Sequence, residues 1–479
     1  VLSLALTHTP GQASVYAVDL IGSGLQVLDG LPNVGGVAGR ADPERVRRTV
    51  EEVSGMLDFR QELFRVRGID SIQRLRTMHA AGELPELPSA DVVLIVDGFG
   101  AIRNDFEEID DMISDLLQRG GGYGIHVVAG MLRWNDVRMA MQSNFGQRIE
   151  LRLNDPSDSS IDRKLAETIS AKEPGRALTD GKLFAHVALP RIDRRPDAND
   201  LGTVVETTAR TIRGAWQGPT APPVRVLPYE LATRALPAPA AERRRVPIGI
   251  DERAFEPVSL DLFDQDQNLL VLGDGECGKT NLIRLITRGL IERYSPEEVV
   301  FAVMDPRRKL RDFVPEPYLG GYASNSRVCA GLAAGVAKEL EGRMPDEGDQ
   351  ADAEESRFDG PHVVVLVDDY HLLTAAGQQP LTSFLPFVPA GRDIGLHFVV
   401  TLPVAGASRG LYDPLLQAVR EIGTSALLMS GDRSEGQLFP RVYAAQQPAG
   451  RGKWIRRGEK AHLIQTALLE APAGAAHAN

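Results

Sequence analysis

Eight consecutive residues, Gly273-Asp274-Gly275-Glu276-Cys277-Gly278-Lys279-Thr280, fit the pattern G-x-x-x-x-G-K-[ST], whose chemistry is the cradling of phosphates. Glycines let the backbone curl so that several N–H groups converge on phosphate oxygens, and a following helix adds the positive end of its dipole. Lys279 is expected to reach the β- and γ-phosphates and Thr280 to offer its hydroxyl to Mg²⁺, so the expected ligands are ATP and Mg²⁺. Hydrolysis needs carboxylates as well. Residues 361–367, Pro-His-Val-Val-Val-Leu-Val, end in Asp368-Asp369. Asp368 is expected to hold Mg²⁺ through water, and Asp369 to polarise the attacking water.

These side chains work only if strands and a helix bring them together. Residues 268–272, apolar from Leu269 on, read as the strand before the loop, while Leu282, Ile283, Leu285, Ile286, Leu290 and Ile291 recur at helical spacing after it. The continuous apolar run at 361–367 has the character of a strand buried on both faces.

With 479 residues, 43% hydrophobic and 25% charged, the chain is long enough for two or three well-cored domains. No apolar run is long enough to cross a bilayer, and the opening Val1-Leu2-Ser3-Leu4-Ala5-Leu6 is too short and lacks the basic flank of a signal peptide. Cys277 and Cys329 are the two cysteines, which gives no disulfide framework and suits a reducing cytosol. Cys277, beside a helix N-terminus, is either a small turn residue or a thiol of lowered pKa. A net charge of −12 argues against a nucleic-acid partner without excluding a local basic patch. The first residue is Val, and the chain is expected to start inside a larger protein.

The two halves repeat with a period near 271 residues. Residues 15–19 answer 300–305, 91–98 answer the run to Asp368-Asp369, 124–128 answer 395–400, and 174–176 answer 449–451. Short apolar strands alternate with helical stretches in each half, the pattern of a parallel sheet with helices on both faces. Projected through this register, the P-loop of the first half falls before Val1, which predicts a missing strand and a weak sheet edge with unpaired backbone groups. The expected domains are 1–217, a degenerate module without its P-loop; 218–246, a Pro/Ala-rich linker; 247–470, a module with both nucleotide motifs; and 471–479, a flexible tail. Within the linker 224–228 is a candidate docked strand, and 346–356 reads as a solvated acidic loop. Where the second module has Asp369, the first has Gly98; where the second has Thr401, a candidate sensor hydroxyl for the γ-phosphate, the first has Gly130. The first module is therefore expected to be unable to hydrolyse nucleotide.

The pair of modules resembles the C-terminal ATPase modules of the EccC-type FtsK/SpoIIIE ATPases of type VII (ESX) secretion. The matching strings are 273–280, 368–370, 392–397, 428–431 and 450–452 in the second module, and 33–38, 126–134, 150–156 and 174–176 in the first. The resemblance implies an α/β fold of two tandem RecA-like P-loop NTPase modules, the first truncated at its N-terminus. It also implies a cytoplasmic motor held at the inner face of the plasma membrane through a membrane-anchored secretion core and an upstream, more active ATPase module. Other implied properties are homo-oligomerisation, hexameric in such motors, and recognition of WXG100-type secreted substrates by the last module. Asp369 stands where such motors carry Glu, and Leu402-Pro403 follows Thr401 where DNA-translocating relatives carry Gln-Arg-Pro, so turnover is expected to be slow. The alternatives are a double-stranded DNA translocase of the same class and a nucleotide-gated scaffold without turnover.

Several further residues stand out. His126 and His397 occupy one place in the repeat and are expected to be buried and bonded to backbone rather than catalytic. Arg176 and Arg451 each follow a glycine and are either packing residues or arginine fingers. Arg133-Trp134 is a candidate cation–π pair or partner spot. Arg307-Arg308-Lys309 with Arg311 forms a basic cluster, either a solvated loop or an anion site.

Overall fold

Alternation along the apolar strands decides which core each side chain enters. In the strand His362–Val367, Val363, Val365 and Val367 join one buried cluster and Val364 and Leu366 another, so the strand is covered on both faces. Burying such side chains is worth about 2 kcal/mol each, which fixes the register. The next residue of the second set is Asp368, and its face is the one that carries the helix Lys279–Ile291 through Leu282, Ile283 and Ile286. Parity alone thus aims Asp368 at the start of the helix that follows the P-loop.

The computed structural model describes residues 1–22, 24–239, 242–344 and 358–470; the acidic stretch 346–356 and the tail 471–479 lie outside the described residues. The chain divides into two units, Val1–Val226 and Leu227 onward. The first holds strands β1 (Ala13–Asp19), β2 (Val34–Gly39), β3 (Asp91–Asp97), β4 (Ile125–Gly130), β5 (Ile149–Leu151), β6 (Arg176–Thr179) and β7 (Phe184–His186). The second holds β8 (Val246–Asp251), β9 (Pro257–Leu260), β10 (Leu269–Leu272), β11 (Val299–Met304), β12 (Leu319–Ala323), β13 (His362–Val367), β14 (Leu396–Leu402) and β15 (Ser425–Leu428). It continues with β16 (Gln437–Phe439), β17 (Val442–Tyr443), β18 (Arg451–Ile455) and β19 (His462–Thr466).

In the second unit one ten-stranded sheet runs β12-β11-β13-β14-β10-β15-β18-β19-β8-β9, parallel as far as β15 and antiparallel beyond. The first unit reproduces this order in two pieces, β2-β1-β3-β4 and β5-β6-β7. Among the described residues it has no strand in the place of β10, so β4 pairs with β3 alone. The consequence is visible in burial: β14 is buried along its whole length, whereas Val128 in β4 is 53% exposed. The parallel sheets with flanking helices are the α/β fold expected of P-loop modules, with the missing strand where the repeat places it.

A second mark of the repeat escaped the sequence reading. Arg60 is buried and its Nη1 donates to the carbonyls of Ala90 (2.8 Å) and Tyr123 (2.6 Å). Arg343 does the same for Pro361 (2.8 Å) and Ile394 (3.2 Å). Each arginine closes the loop ends that enter the third and fourth repeat strands, and burial holds the Arg60 guanidinium down to about 10. The proline-rich stretch is bonded on each side of the division within its own unit. Ala221 and Val224 donate to Pro32 and Gly35, while the Leu227 and Pro228 carbonyls accept from Arg451 Nη2 at 2.8 and 2.9 Å. Residues 224–228 dock as an irregular segment rather than a strand. No helix of the described residues is long and apolar enough to cross a membrane.

Candidate nucleotide site

The loop 273–278 leaves β10 and turns into the helix Lys279–Ile291 through Glu276 and Gly278, both at positive φ (62° and 106°). Only a residue without a Cβ sits easily at Gly278, whose added Cβ would also come to 3.2 Å from the Gly450 nitrogen. The loop is tied on several sides. Gly273 N donates to Leu402 O, Asp274 N to Ser430 O, and Gly450 N to Cys277 O. Asp274 Oδ1 accepts from the nitrogens of Val404 and Ala405 at 3.0 Å, so this carboxylate knits the loop to the segment after β14. Asn281 reaches Ala467 O at 2.8 Å and accepts from Leu469 N at 3.0 Å. Gly275 has nothing within 4 Å of its would-be Cβ and faces open space.

The candidate side chains converge here. Thr280 Oγ1 donates to Asp368 Oδ2 at 2.7 Å, and Thr401 Oγ1 donates to Asp368 Oδ1 at 2.8 Å. The Thr401 oxygen in turn accepts from Asp369 N at 2.8 Å. Both carboxylate oxygens of Asp368 are thereby oriented, while burial outweighs these bonds and raises its pKa. Asp369 lies in the left-handed region (φ 53°, ψ 53°), which turns its carboxylate back over the loop. That conformation costs about 1 kcal/mol for a residue with a Cβ, and aspartate tolerates it better than most. Tyr370 anchors the same turn through a 2.8 Å bond to Asp413 Oδ1.

Lys279 Nζ bonds the carbonyls of Gly273 (2.5 Å) and Asp274 (2.9 Å) and stands 4.0 Å from Asp369 Oδ1. Arg307 Nε meets the other oxygen, Oδ2, at 2.7 Å. Residues 276–281, from the loop and the first turn of the helix, enclose with Lys309 and Asp369 a pocket of about 180 Å³. This is smaller than the ~300–1,000 Å³ of sites that engulf a whole ligand, and its walls suit a phosphate tail with the rest of the nucleotide outside. The basic cluster seen in sequence is therefore divided: Lys309 lines this pocket and Arg307 pairs with Asp369.

Other candidates fall elsewhere. Cys277 is buried with its Sγ 3.8 Å from Met429 Sδ, and burial pushes the thiol up, against the lowered pKa considered from its place beside a helix N-terminus. Arg451 is fully buried and spent on Gln465 and the Leu227 and Pro228 carbonyls, a packing role and not a finger. Arg176 pairs with Glu173 and lies over the Phe184 ring. His397 is buried, with Nδ1 3.0 Å from Gln267 O and Nε2 3.0 Å from His362 Nδ1. His126, its counterpart, is instead exposed and 3.0 Å from Asp91 Oδ1, because among the described residues no strand covers that edge of β4. The cation over Trp134 is Arg148, 5.0 Å away, rather than the neighbouring Arg133.

Residues 1–193 match the FtsK/SpoIIIE family. The chain is 42% identical over 473 residues to the ESX secretion system protein EccC of Thermomonospora curvata, covering 98% of this chain and 36% of that protein. It therefore spans about a third of that relative. With the ESX-1 secretion system protein EccCb1 of Mycolicibacterium smegmatis it shares 33% identity, covering 98% of this chain and 82% of the relative. A solved structure of ATPases 2 and 3 of Thermomonospora curvata EccC, in complex with a signal sequence peptide, superposes with a TM-score of 0.82 at 41% identity, over 98% of this chain and 85% of that one. Sequence, P-loop architecture and these likenesses agree, and the chain belongs to the EccC family of FtsK/SpoIIIE-type ATPases of ESX, or type VII, secretion.

Proposed function

We propose that the second module, residues 247–470, binds ATP with Mg²⁺ and couples nucleotide binding, with slow hydrolysis, to the capture of WXG100-type substrates for export. The observation that carries the reading is the continuous network Thr280–Asp368–Thr401–Asp369 at the mouth of the P-loop. A threonine hydroxyl and a carboxylate already 2.7 Å apart are hard oxygen donors, one set by a helix start and one by a strand end, and that donor set fits Mg²⁺. Bound there, the ion would supply charge neutralisation at the phosphates. Lys279 and the loop nitrogens hold the phosphates, and Asp369 orients the water. Thr401 acts through Asp368 and Asp369, to which its hydroxyl is bonded. Asp369 reaches one methylene less far than Glu, which supports slow turnover.

The substrate side of the reading is supported by the relative whose solved structure is in complex with a signal sequence peptide. Partners of the full assembly are the membrane-anchored core of the secretion system, an upstream ATPase module and further copies of this chain. Anisotropy titrations with Mg-ATP present test it, using a labelled C-terminal tail of a WXG100-type protein and, separately, a labelled DNA duplex. Saturable tail binding lost on scrambling the signal is expected; binding of DNA alone overturns it in favour of a translocase. The net charge of −12 already disfavours that outcome. ATP binding without phosphate release would leave the nucleotide-gated scaffold.

A further inference from the structure

Two aspartates stand side by side at the phosphate pocket, and a triphosphate brings several more negative charges to the same place. Asp368 is held by two hydroxyls. Asp369 has 7% of its surface exposed, so its charge is poorly screened by water and needs a cation. Lys279 is not that cation at contact distance: its ammonium is 4.0 Å away and committed to two loop carbonyls. Arg307 is, at 2.7 Å.

Arg307 is placed by a built turn. Asp305, fully buried at the end of β11, accepts through Oδ2 from Leu310 N at 2.6 Å and from the Tyr322 hydroxyl at 3.1 Å. Its carbonyl accepts from Arg308 N, and Arg308 itself has φ 58°. The turn throws Arg307 toward Asp369 and Lys309 into the pocket wall.

The first unit supplies an internal control. Asp19 closes β1 as Asp305, the residue after Met304, closes β11, and it too accepts from the following turn, at Gly22 N and Leu25 N. Two residues beyond each aspartate stand Ile21 and Arg307; opposite them stand Gly98 and Asp369, each one residue past the aspartate, Asp97 or Asp368, that stands level with Asp19 or Asp305 in the strand register. A Cβ on Gly98 would lie 2.7 Å from Ile21 Cγ2. An isoleucine over a glycine thus occupies the position that an arginine over an aspartate occupies in the second unit. Both members change together on an otherwise equivalent backbone, as expected if neither is useful without the other.

We propose that Arg307 is the positioning counter-charge of Asp369, which lets a carboxylate stand beside a bound triphosphate and keeps it aimed at the pocket. The inference rests on the nucleotide reading above. Binding of Mg²⁺ with N-methylanthraniloyl-labelled ATP or ADP is measured for wild type, Arg307→Ala, Asp369→Asn, the double variant and Lys279→Ala. Arg307→Ala leaves Asp369 uncompensated and weakens ATP binding about tenfold, ADP binding less. Asp369→Asn in the same chain restores ATP affinity to within about twofold of wild type, because the repulsion is gone. Mere collapse of the turn would not be rescued by changing its partner. Unchanged affinity in Arg307→Ala, or equal weakening in Arg307→Ala and the double variant, overturns the inference while leaving the nucleotide site standing. No saturable binding by wild type, or undiminished binding by Lys279→Ala, overturns the nucleotide reading and the inference with it.

Discussion

The two modules share a backbone and differ in what that backbone carries. Gly98 and Asp369 both sit in the left-handed region after a strand, at φ 82° and 53°. Asp97 and Gly130 face each other across β3 and β4, and the same register brings Asp368 to Thr401 across β13 and β14. In the first module the hydroxyl is gone, and a Cβ on Gly130 would lie 2.3 Å from Asp97 Oδ1, so that space is already filled. The turn, the register and the buried arginine clamps survive where glycines replace Asp369 and Thr401. Scaffold and chemistry are separable here: topology is held by alternating apolar side chains, whereas the site depends on a few side chains that topology tolerates but does not require.

The sharpest break in the comparison is Lys279→Ala. If the first module of this chain contributes no nucleotide site, the variant loses nucleotide binding by roughly 100-fold or more, the scale for removing a charged partner from a semi-enclosed anion site. Residual tight binding by calorimetry would assign a site to the first module. Thr401→Ala comes next. It strips a hydrogen bond from buried Asp368 and from Asp369 N, a loss of about 2 kcal/mol, and turnover measured by phosphate release is expected to fall about tenfold or more. Thr401→Ser keeps the hydroxyl and should recover most of it; failure to do so would mean that the methyl, not the bond, matters.

The reverse graft, Gly98→Asp, asks whether the first module can be given back its carboxylate. The left-handed backbone and the contact with Ile21 both oppose it. A destabilisation of about 2–3 kcal/mol is expected, with no gain in phosphate release. A stable, more active variant would mean that Ile21 moves aside easily.

Acid separates the modules more gently. In the second, burial lowers His397 to about 3 and His362, stacked on Phe263 at 4.0 Å, to about 4, from 6.5. The unfolded chain therefore takes up protons that the native one refuses. Stability is complete above pH 6.5 and falls as pH drops from there toward 4, by a few kcal/mol at most. In the first module burial raises the Asp91 pKa, but bonds from His126 and Arg76 outweigh it and hold the group near 2. Its contribution persists above 3.8 and is lost only as pH falls toward 2. Hydrogen exchange at about pH 7 and about pH 5, corrected for intrinsic rates, should show protection weakening in the second unit before the first. Simultaneous loss would mean that the histidine pair is not what titrates.

The strands and the P-loop were legible because their signals are local: a period of two, a helical period and a fixed string of glycines. The repeat made the missing strand of the first module legible as well, since register is conserved wherever a face is buried. What stayed hidden depends on distance in the chain. Nothing about Arg307 in isolation says that a turn built on Asp305 aims it at Asp369, 62 positions on (369 − 307). Gly450 looked like a neighbour of a candidate finger, yet its N–H closes the P-loop on Cys277 and its arginine faces inward. His126 and His397 share a sequence context and differ in burial because β14 is flanked by β13 and β10, whereas among the described residues β4 pairs with β3 alone.

Cys277 provides the smallest effect and the finest test of how tightly the loop is built. Its place beside a helix start would lower a thiol pKa by itself, but the side chain points inward onto Met429, and burial raises it. A Cβ on Gly273 would lie 2.3 Å from its sulfur, so the thiol fills the space that the neighbouring glycine leaves open. Cys277→Ala should therefore cost about 1 kcal/mol of stability by denaturant titration and change nucleotide affinity by less than about twofold. Alkylation of the native thiol near neutral pH should be slower than that of a free cysteine, because the reactive thiolate is scarce and shielded. Rapid labelling quenched by Mg-ATP would instead mean that the sulfur opens toward the phosphates, and that the ties to Gly450 and Met429 hold the loop less firmly than their geometry indicates.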